Sequence, residues 1–283
     1  MRYAVTAVAV LAVLSIFSLR FFPAPKGEAA EQYTFGVSPQ FEQRKLYAIW
    51  KPIIDELQKR TSLSFTLVTT LKIQDFEKEF AKGSFDFVYV NPYHIVQARK
   101  SPGYLPLVSD KAPLRGILVV KKDGPVRTLG DLNNKVVAFP SPNALGASLM
   151  MRADLEQVHH LTVIPLYVKT HSSVYLHVAK GLTPAGGGVE KTLHEQDADI
   201  RDSLRVLYTT RGMPSHPVAA HPRVKKQDAE KVRRAFLAMG SDPAGRELLS
   251  NVPMQGVMAV TMSEYLVMAD WGLERYWQPI QED

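Results

Sequence analysis

VVAFPSPNALGASLMM, residues Val136 to Met151, is the stretch that decides how this chain reads. It opens with an apolar, β-prone run, Val136-Val137-Ala138-Phe139. Pro140 and Pro142 then hold an extended loop around Ser141, because proline fixes its own φ and steers the preceding residue away from helix. Asn143 is a favourable N-cap, and the residues from Ala144 onward are good helix formers. A strand, a tight polar loop and a helix start aim several unpaired backbone N–H groups at the top of a sheet, where the helix dipole adds partial positive charge. Such a place receives an anion readily. Taken alone, the stretch also fits an ordinary β–α turn, so the rest of the chain has to decide.

Upstream of it, the pattern is a run of strand–helix units. Tyr33 to Val37 reads as a strand, Ser38-Pro39-Gln40 as a loop, and Leu46, Trp50, Ile53, Ile54 and Leu57 as one face of a helix. Ser64 to Val68 alternates as a strand, and Gln74 to Lys82 is a helix ended by Gly83. Phe85 to Val90 is a strand interrupted by Asp86, and Asn91-Pro92 starts a helix with proline at a favoured early position. The pattern restarts with a strand at Ile117 to Val120, a turn at Lys122 to Pro125 and a short helical turn at Leu129 to Leu132.

Downstream, Val163 to Tyr167 is a strand, and Ser172 caps a helix from Ser173 to Lys180. Ala185 to Gly188 follows a short strand, and Val189 to His194 is a helix. Arg205 to Tyr208 and Val218 to Ala220 are strands, Lys225 to Met239 is a long helix, and Ser241-Asp242-Pro243 starts another. Thr261 to Glu264 is a capping box. The class is α/β, with two Rossmann-like lobes and a ligand cleft between them. Lobe 1 is expected over 31–116 and 210–283 and lobe 2 over 117–209, with Ile117 to Val120 and Val206 to Thr209 as the natural crossings. Ligands on open α/β sheets sit at the carboxyl ends of strands, and in two lobes those ends can face one cleft.

Composition narrows the function. The chain has 283 residues, 46% hydrophobic and 22% charged, which is enough for a large core in one or two domains. The net charge is +6; Arg2, Arg20, Lys26 and Glu28 account for +2 of it, leaving about +4 beyond residue 30. With no dense basic run interleaved with aromatics, nucleic acid is not suggested. The absence of cysteine excludes disulfides, thiolate metal sites, a cysteine nucleophile and a lipid-modified cysteine. Residues 1–30 read as a signal peptide or N-terminal membrane anchor: Arg2 precedes an uncharged run from Tyr3 to Leu19, and small residues follow at Ala29 and Ala30. Export to the periplasm is expected, with anchoring through residues 3–22 as the rival, since a run of about 17 residues can just span a bilayer.

The pieces together resemble the solute-binding proteins of ABC importers for phosphate, phosphite and phosphonate, a branch of the type II periplasmic binding proteins. The matching residues are Phe35-Gly36-Val37-Ser38-Pro39, and Phe85 to Tyr89 running into Asn91-Pro92-Tyr93. Further on come Leu129 to Phe139, then His171 with Val174-Tyr175-Leu176, then Ala185 to Gly188. The resemblance covers about Tyr33 to Leu273. It implies capture of a small oxyanion for an ABC permease, or for a membrane sensor that reads the closed form, by a protein expected to be monomeric, with no cofactor or metal and no catalysis. Three departures stand out. The family's loop of Ser and Thr hydroxyls is Asn143-Ala144-Leu145-Gly146-Ala147 here. The carboxylate two residues before the glycine aligned with Gly186, found in members that bind an amino-phosphonate, is Pro184. An aromatic four residues after Asn91 is Ile95. Leu145 and Ile95 make an organic ligand on the same fold an open alternative.

The candidate ligand-binding residues follow from strand ends, helix starts and the resemblance. Ser38, Tyr89, Asn91, Tyr93 and His94 follow strands of the first unit, and Arg44 offers a guanidinium fork suited to oxyanions. Ser141, Asn143 and Gly146 belong to the opening stretch; His171, Ser172 and Ser173 repeat its logic at a second helix start. Gly187 permits close backbone approach, and lacks the spacing of a dinucleotide loop or a P-loop. His216 reaches in from the second crossing. Each has a structural alternative: capping, solvated charge or core packing. An enzyme on this scaffold is disfavoured, since Gly146 to Met150 lacks the last glycine of a nucleophile elbow and no histidine pair has zinc-protease spacing.

Overall fold

The computed structural model describes residues 31–252 and 254–279. The expected export or anchor segment lies outside them. Among the described residues no helix is long and apolar enough to cross a membrane.

Alternation builds the first sheet. β1 (Gln32–Val37) buries Tyr33, Phe35 and Val37 on one face, where Phe35 meets Trp50 of α1 (Gln43–Thr61) at 5.6 Å between ring centroids. Leu46, Trp50, Ile53, Ile54 and Leu57 are the buried stripe of that helix, as their spacing predicts. β2 (Ser64–Thr69), α2 (Ile73–Ala81), β3 (Phe87–Tyr89) and α3 (Pro92–Gln97) follow. β1 pairs in parallel with both β2 and β3. Asp86, which interrupts the apolar run before β3, is held by the Thr34 N–H (2.8 Å), the Thr34 hydroxyl (2.9 Å) and Arg223 Nε (2.6 Å). Burial alone would raise its pKa, but these donors outweigh it and lower the value.

β4 (Leu105–Asp110) joins the first sheet and β5 (Gly116–Lys121) opens the second, which continues with β6 (Val136–Phe139), β7 (Ile164–Tyr167), β8 (Ala185–Val189) and β9 (Leu204–Thr209). Its order is β7-β6-β8-β5-β9. Between β6 and β7 runs a continuous helical segment: α4 (Met151–Ala153) flanked by π-helical turns at Leu145–Met150 and Asp154–Val158. α5 (His171–Ala179), α6 (Glu190–His194) and α7 (Ala198–Asp202) cover the sheet. The chain then returns through β10 (Val218–Ala220), α8 (Lys226–Ser241), α9 (Pro243–Ser250), β11 (Val257–Ala259) and α10 (Met262–Leu266). The first sheet closes in the order β11-β4-β10-β3-β1-β2. Two mixed sheets carrying helices are the two-lobed α/β architecture expected from the sequence.

Several local expectations are corrected. The strands named as crossings, β5 and β9, pair with each other inside the second sheet; the chain changes sheets just outside them, where Leu114 and Met213 form an isolated antiparallel bridge. Ala185 to Gly188 is not a loop after a strand but the middle strand itself, between β6 and β5. Its glycines are there because neighbours press on it: an added Cβ would lie 2.1 Å from the Ala147 carbonyl at Gly187 and 2.2 Å from Tyr175 Oη at Gly188. Thr170, not Ser172, caps α5, accepting the Ser173 N–H at 3.1 Å. Leu145 and Ile95 face no cleft. They share an apolar cluster with Phe76, Tyr93, Leu149 and Tyr265, so the helix after β6 packs into the core beside the first sheet.

Candidate functional site

The site is built where strands stop. β1 gives way to Ser38-Pro39-Gln40, with the Ser38 N–H donating to the Tyr89 carbonyl at 3.0 Å. β3 gives way to Asn91, whose Oδ1 accepts the Tyr93 N–H (2.9 Å) to cap α3 and whose Nδ2 donates to the Asn143 carbonyl (3.0 Å). That second bond ties the loop after β3 to the loop after β6. β6 leads to Ser141, β7 to His171, and His216 precedes β10. These ends converge on a small chamber lined by Ser38, Pro39, Gln40, Ile73, Asn91, His94, Ser141, Ala144, His171 and His216. No lysine or arginine is among its lining residues.

Three polar atoms of that lining, Ser141 Oγ, His94 Nδ1 and His216 Nδ1, are buried without a hydrogen-bond partner among the described residues. An unsatisfied buried donor or acceptor costs about 1–3 kcal/mol, so three around one space mark a place arranged for a polar occupant. His216 Nε2 lies 3.0 Å from Gln40 Nε2. The His216 ring stacks on Tyr89, centroids 5.5 Å apart. Burial, with a smaller contribution from His171 and His94, pushes the His216 pKa down to about 3; burial takes His171 to about 4. Both are neutral at pH 7. His94 Nε2 contacts Glu77 Oε1 at 2.7 Å, and its ring meets Trp277 edge-on at 5.0 Å. Ser141, His171 and His216 therefore offer an anion hydrogen bonds from neutral groups, and neither lysine nor arginine lines the chamber.

Of the residues singled out in the sequence, Ser38, Asn91, His94, Ser141, His171 and His216 line this chamber. Tyr89 lies beneath it, stacked on His216 and meeting the tilted ring of Trp50. The others are placed elsewhere. Arg44 is exposed on the first turn of α1, which the Glu42 carboxylate caps. Tyr93 is fully buried, with its hydroxyl donating to Glu274 at 2.8 Å. Asn143 does not cap a helix: its amide accepts the Gln278 N–H and donates to the Gln278 carbonyl, each at 2.9 Å, and Ala144 takes the cap position. Gly146 and Gly187 are packing positions against Gly116 and Ala147. Ser172 is exposed, and the Ser173 hydroxyl lies 2.9 Å from Thr170 Oγ1. Sequence reasoning missed Pro39, Gln40, Ile73 and Ala144 in the lining; Pro39 and Gln40, directly after Ser38 in the same strand-end loop, carried a positional signal. Among the described residues no cluster of three His, Cys, Asp or Glu is placed to hold a metal.

A second pocket lies on the other side of the Gln40–His216 pair, bounded by Phe41, Asp110, Leu114, Val189 and Lys191. Of its two carboxylates, Asp110 and Glu190, Asp110 is already committed, accepting the N–H groups of Ala112, Gln255 and Gly256.

With this geometry in hand, three comparisons bear on identity. A crystal structure of a binding-protein component of an ABC phosphonate transporter from Pseudomonas aeruginosa superposes with a TM-score of 0.79 at 13% identity, covering 88% of each chain. PhnD1 from Prochlorococcus marinus, in complex with methylphosphonate, gives a TM-score of 0.79 at 15% identity over 87% of this chain and 98% of its own. A Xanthomonas citri protein bound to chloride ion gives 0.71 at 14% identity over 87% and 98%. At such identities the likeness concerns the fold. No curated protein sequence matches the chain. The profile of the family described as ABC transporter, phosphonate, periplasmic substrate-binding protein matches residues 35–265. The chain belongs to the periplasmic substrate-binding proteins of phosphonate ABC transporters.

Proposed function

We propose that the protein captures a small phosphorus oxyanion of the phosphonate class in the chamber between its sheets and presents it to an ABC permease. The observation that carries the reading is the set of unpartnered buried atoms, Ser141 Oγ, His94 Nδ1 and His216 Nδ1, around one small space at the strand ends. The methylphosphonate complex of PhnD1 supports the ligand class.

In this reading 31–116 and 210–283 form one lobe and 117–209 the other, and residues 1–30 direct export or hold the protein at the membrane. Release of ligand is a hinge opening through the segments around the Leu114–Met213 bridge. Opening then breaks the Lys45–Glu195 ion pair (3.0 Å) and the bond from Lys191 Nζ to the Ser250 carbonyl (2.6 Å). Calorimetry of the full chain against phosphate, phosphite, methylphosphonate and a panel of carboxylates tests the assignment. A phosphorus anion is expected to bind tightest; failure of all of them while a carboxylate binds overturns it.

A further inference from the structure

The chamber and the pocket beside it are divided by a single layer of side chains. Gln40 and His216 line both spaces. Next to them His171, on the chamber side, touches Thr192, on the pocket side, with Nδ1 and Oγ1 3.3 Å apart. The Gln40 amide reaches His216 through one contact, at 3.0 Å, and the residue is only half-buried, so its side chain can turn aside without unpacking the core. Both sheets build the pocket. Phe41 follows β1, Val189 ends β8, and Leu114 and His216 lie in the segments that link the sheets.

The two spaces differ in chemistry. Around the chamber, Ser141 Oγ, His94 Nδ1 and His216 Nδ1 lack partners among the described residues. Around the pocket, the charged groups are engaged or exposed. Asp110 accepts three backbone N–H groups, Lys191 Nζ donates to the Ser250 carbonyl at 2.6 Å, and Arg115 Nη1 donates to the Thr210 carbonyl at 3.3 Å. Glu190 is exposed. Thr192 Oγ1 is engaged with the Val189 carbonyl at 2.9 Å and Tyr175 Oη at 2.7 Å. Among these lie the apolar side chains of Phe41, Leu114 and Val189. An oxyanion finds waiting partners in the first space, whereas the second rewards apolar surface. We propose, resting on the phosphonate-class reading, that the ligand is a phosphonate bearing an apolar organic substituent. Its head group fills the chamber, and its substituent passes Gln40 into the pocket bounded by Phe41, Leu114 and Val189. The carbon on phosphorus is the one corner of the tetrahedron that hydrogen bonds cannot hold, so it is the corner that turns toward the apolar pocket.

The test is titration calorimetry of the full chain with methylphosphonate and butylphosphonate at several temperatures. Each methylene taken out of water is worth about fourfold in affinity, so butylphosphonate is expected to bind about tenfold tighter or better. Its binding should also carry the more negative heat-capacity change that marks apolar burial. Ala112 is exposed and lines the pocket but not the chamber. Ala112→Phe should fill the pocket and erase the advantage of the butyl group, while the affinity for methylphosphonate holds. Butylphosphonate binding no tighter than methylphosphonate in the wild type overturns the inference and leaves the ligand class standing. An undiminished butyl advantage in Ala112→Phe also overturns it. No binding of either phosphonate overturns both the inference and the ligand class. The wild-type comparison decides even where Ala112→Phe does not fold.

Discussion

Gly187→Ala separates two roles for the central glycine strand. If Gly187 touches ligand through its backbone, a methyl group there should block binding and leave stability alone. The packing says otherwise. The new Cβ would lie 2.1 Å from the Ala147 carbonyl oxygen and 2.6 Å from Phe139 Cδ1, where ordinary contact begins at 3.4 Å. β8 cannot yield, because it is paired on both sides, Gly187 with Leu118 of β5 and Gly186 with Ala138 of β6. The π-helical turn carrying Ala147 must therefore retreat by roughly 1 Å, an overpacking that costs about 1–3 kcal/mol. For a protein of this size that lowers Tm by about 2–12 °C. The same retreat drags Ala144, which lines the chamber, so methylphosphonate affinity should weaken together with stability. Urea unfolding and calorimetry on the same samples measure both. Gly130→Ala is the control: its Cβ would meet only Thr128 Oγ1, at 3.6 Å, and stability should hold within about 0.5 kcal/mol. An unchanged unfolding midpoint in Gly187→Ala with lost affinity would refute the packing argument and return the glycine to the ligand.

Further outcomes follow from the same geometry. Asn143→Ala removes both bonds to Gln278 and should destabilise by about 1–3 kcal/mol in urea unfolding, with methylphosphonate binding retained, since the amide is spent on the chain near its end. His171 and His216 are held near pKa 4 and 3 against 6.5 when free, so the unfolded chain binds more protons at intermediate pH. Their contribution is complete above pH 6.5 and is lost as pH falls toward the folded values, at about 2 kcal/mol each by pH 5. Thermal melts at pH 7.5 and pH 5 should therefore differ, and His216→Gln should reduce the difference; an equal difference in wild type and variant would count against burial of a neutral ring. Asn91→Ala removes both a helix cap and the bridge to the Asn143 carbonyl, and should lower stability by about 1–3 kcal/mol and weaken ligand binding together; unchanged stability would mean that bridge is not formed in solution.

The local grammar of this chain was legible without coordinates. Apolar spacing from Leu46 to Leu57 marks α1, the Thr261–Glu264 box marks α10, and Val218–Ala220 is a strand with the bounds its composition suggests. Because ligands gather where parallel strands end, Ser38, Asn91 and Ser141 could be named from the positions of their strands, while His171 came from a helix start and the family resemblance. What could not be read was how polar groups choose partners across the chain. Asn143, a good cap by type, spends its amide on Gln278, 135 residues away, and Gln40 finds His216 at a separation of 176. The glycines of β8 look like a loop until the Ala147 carbonyl and Tyr175 hydroxyl are seen lying against them. Propensity and periodicity act over a few residues, so the order of residues determined the elements and the ends where a site could form. Hydrogen-bond partners and the empty space left between side chains are set only when distant segments close on one another, and those the tertiary structure decided.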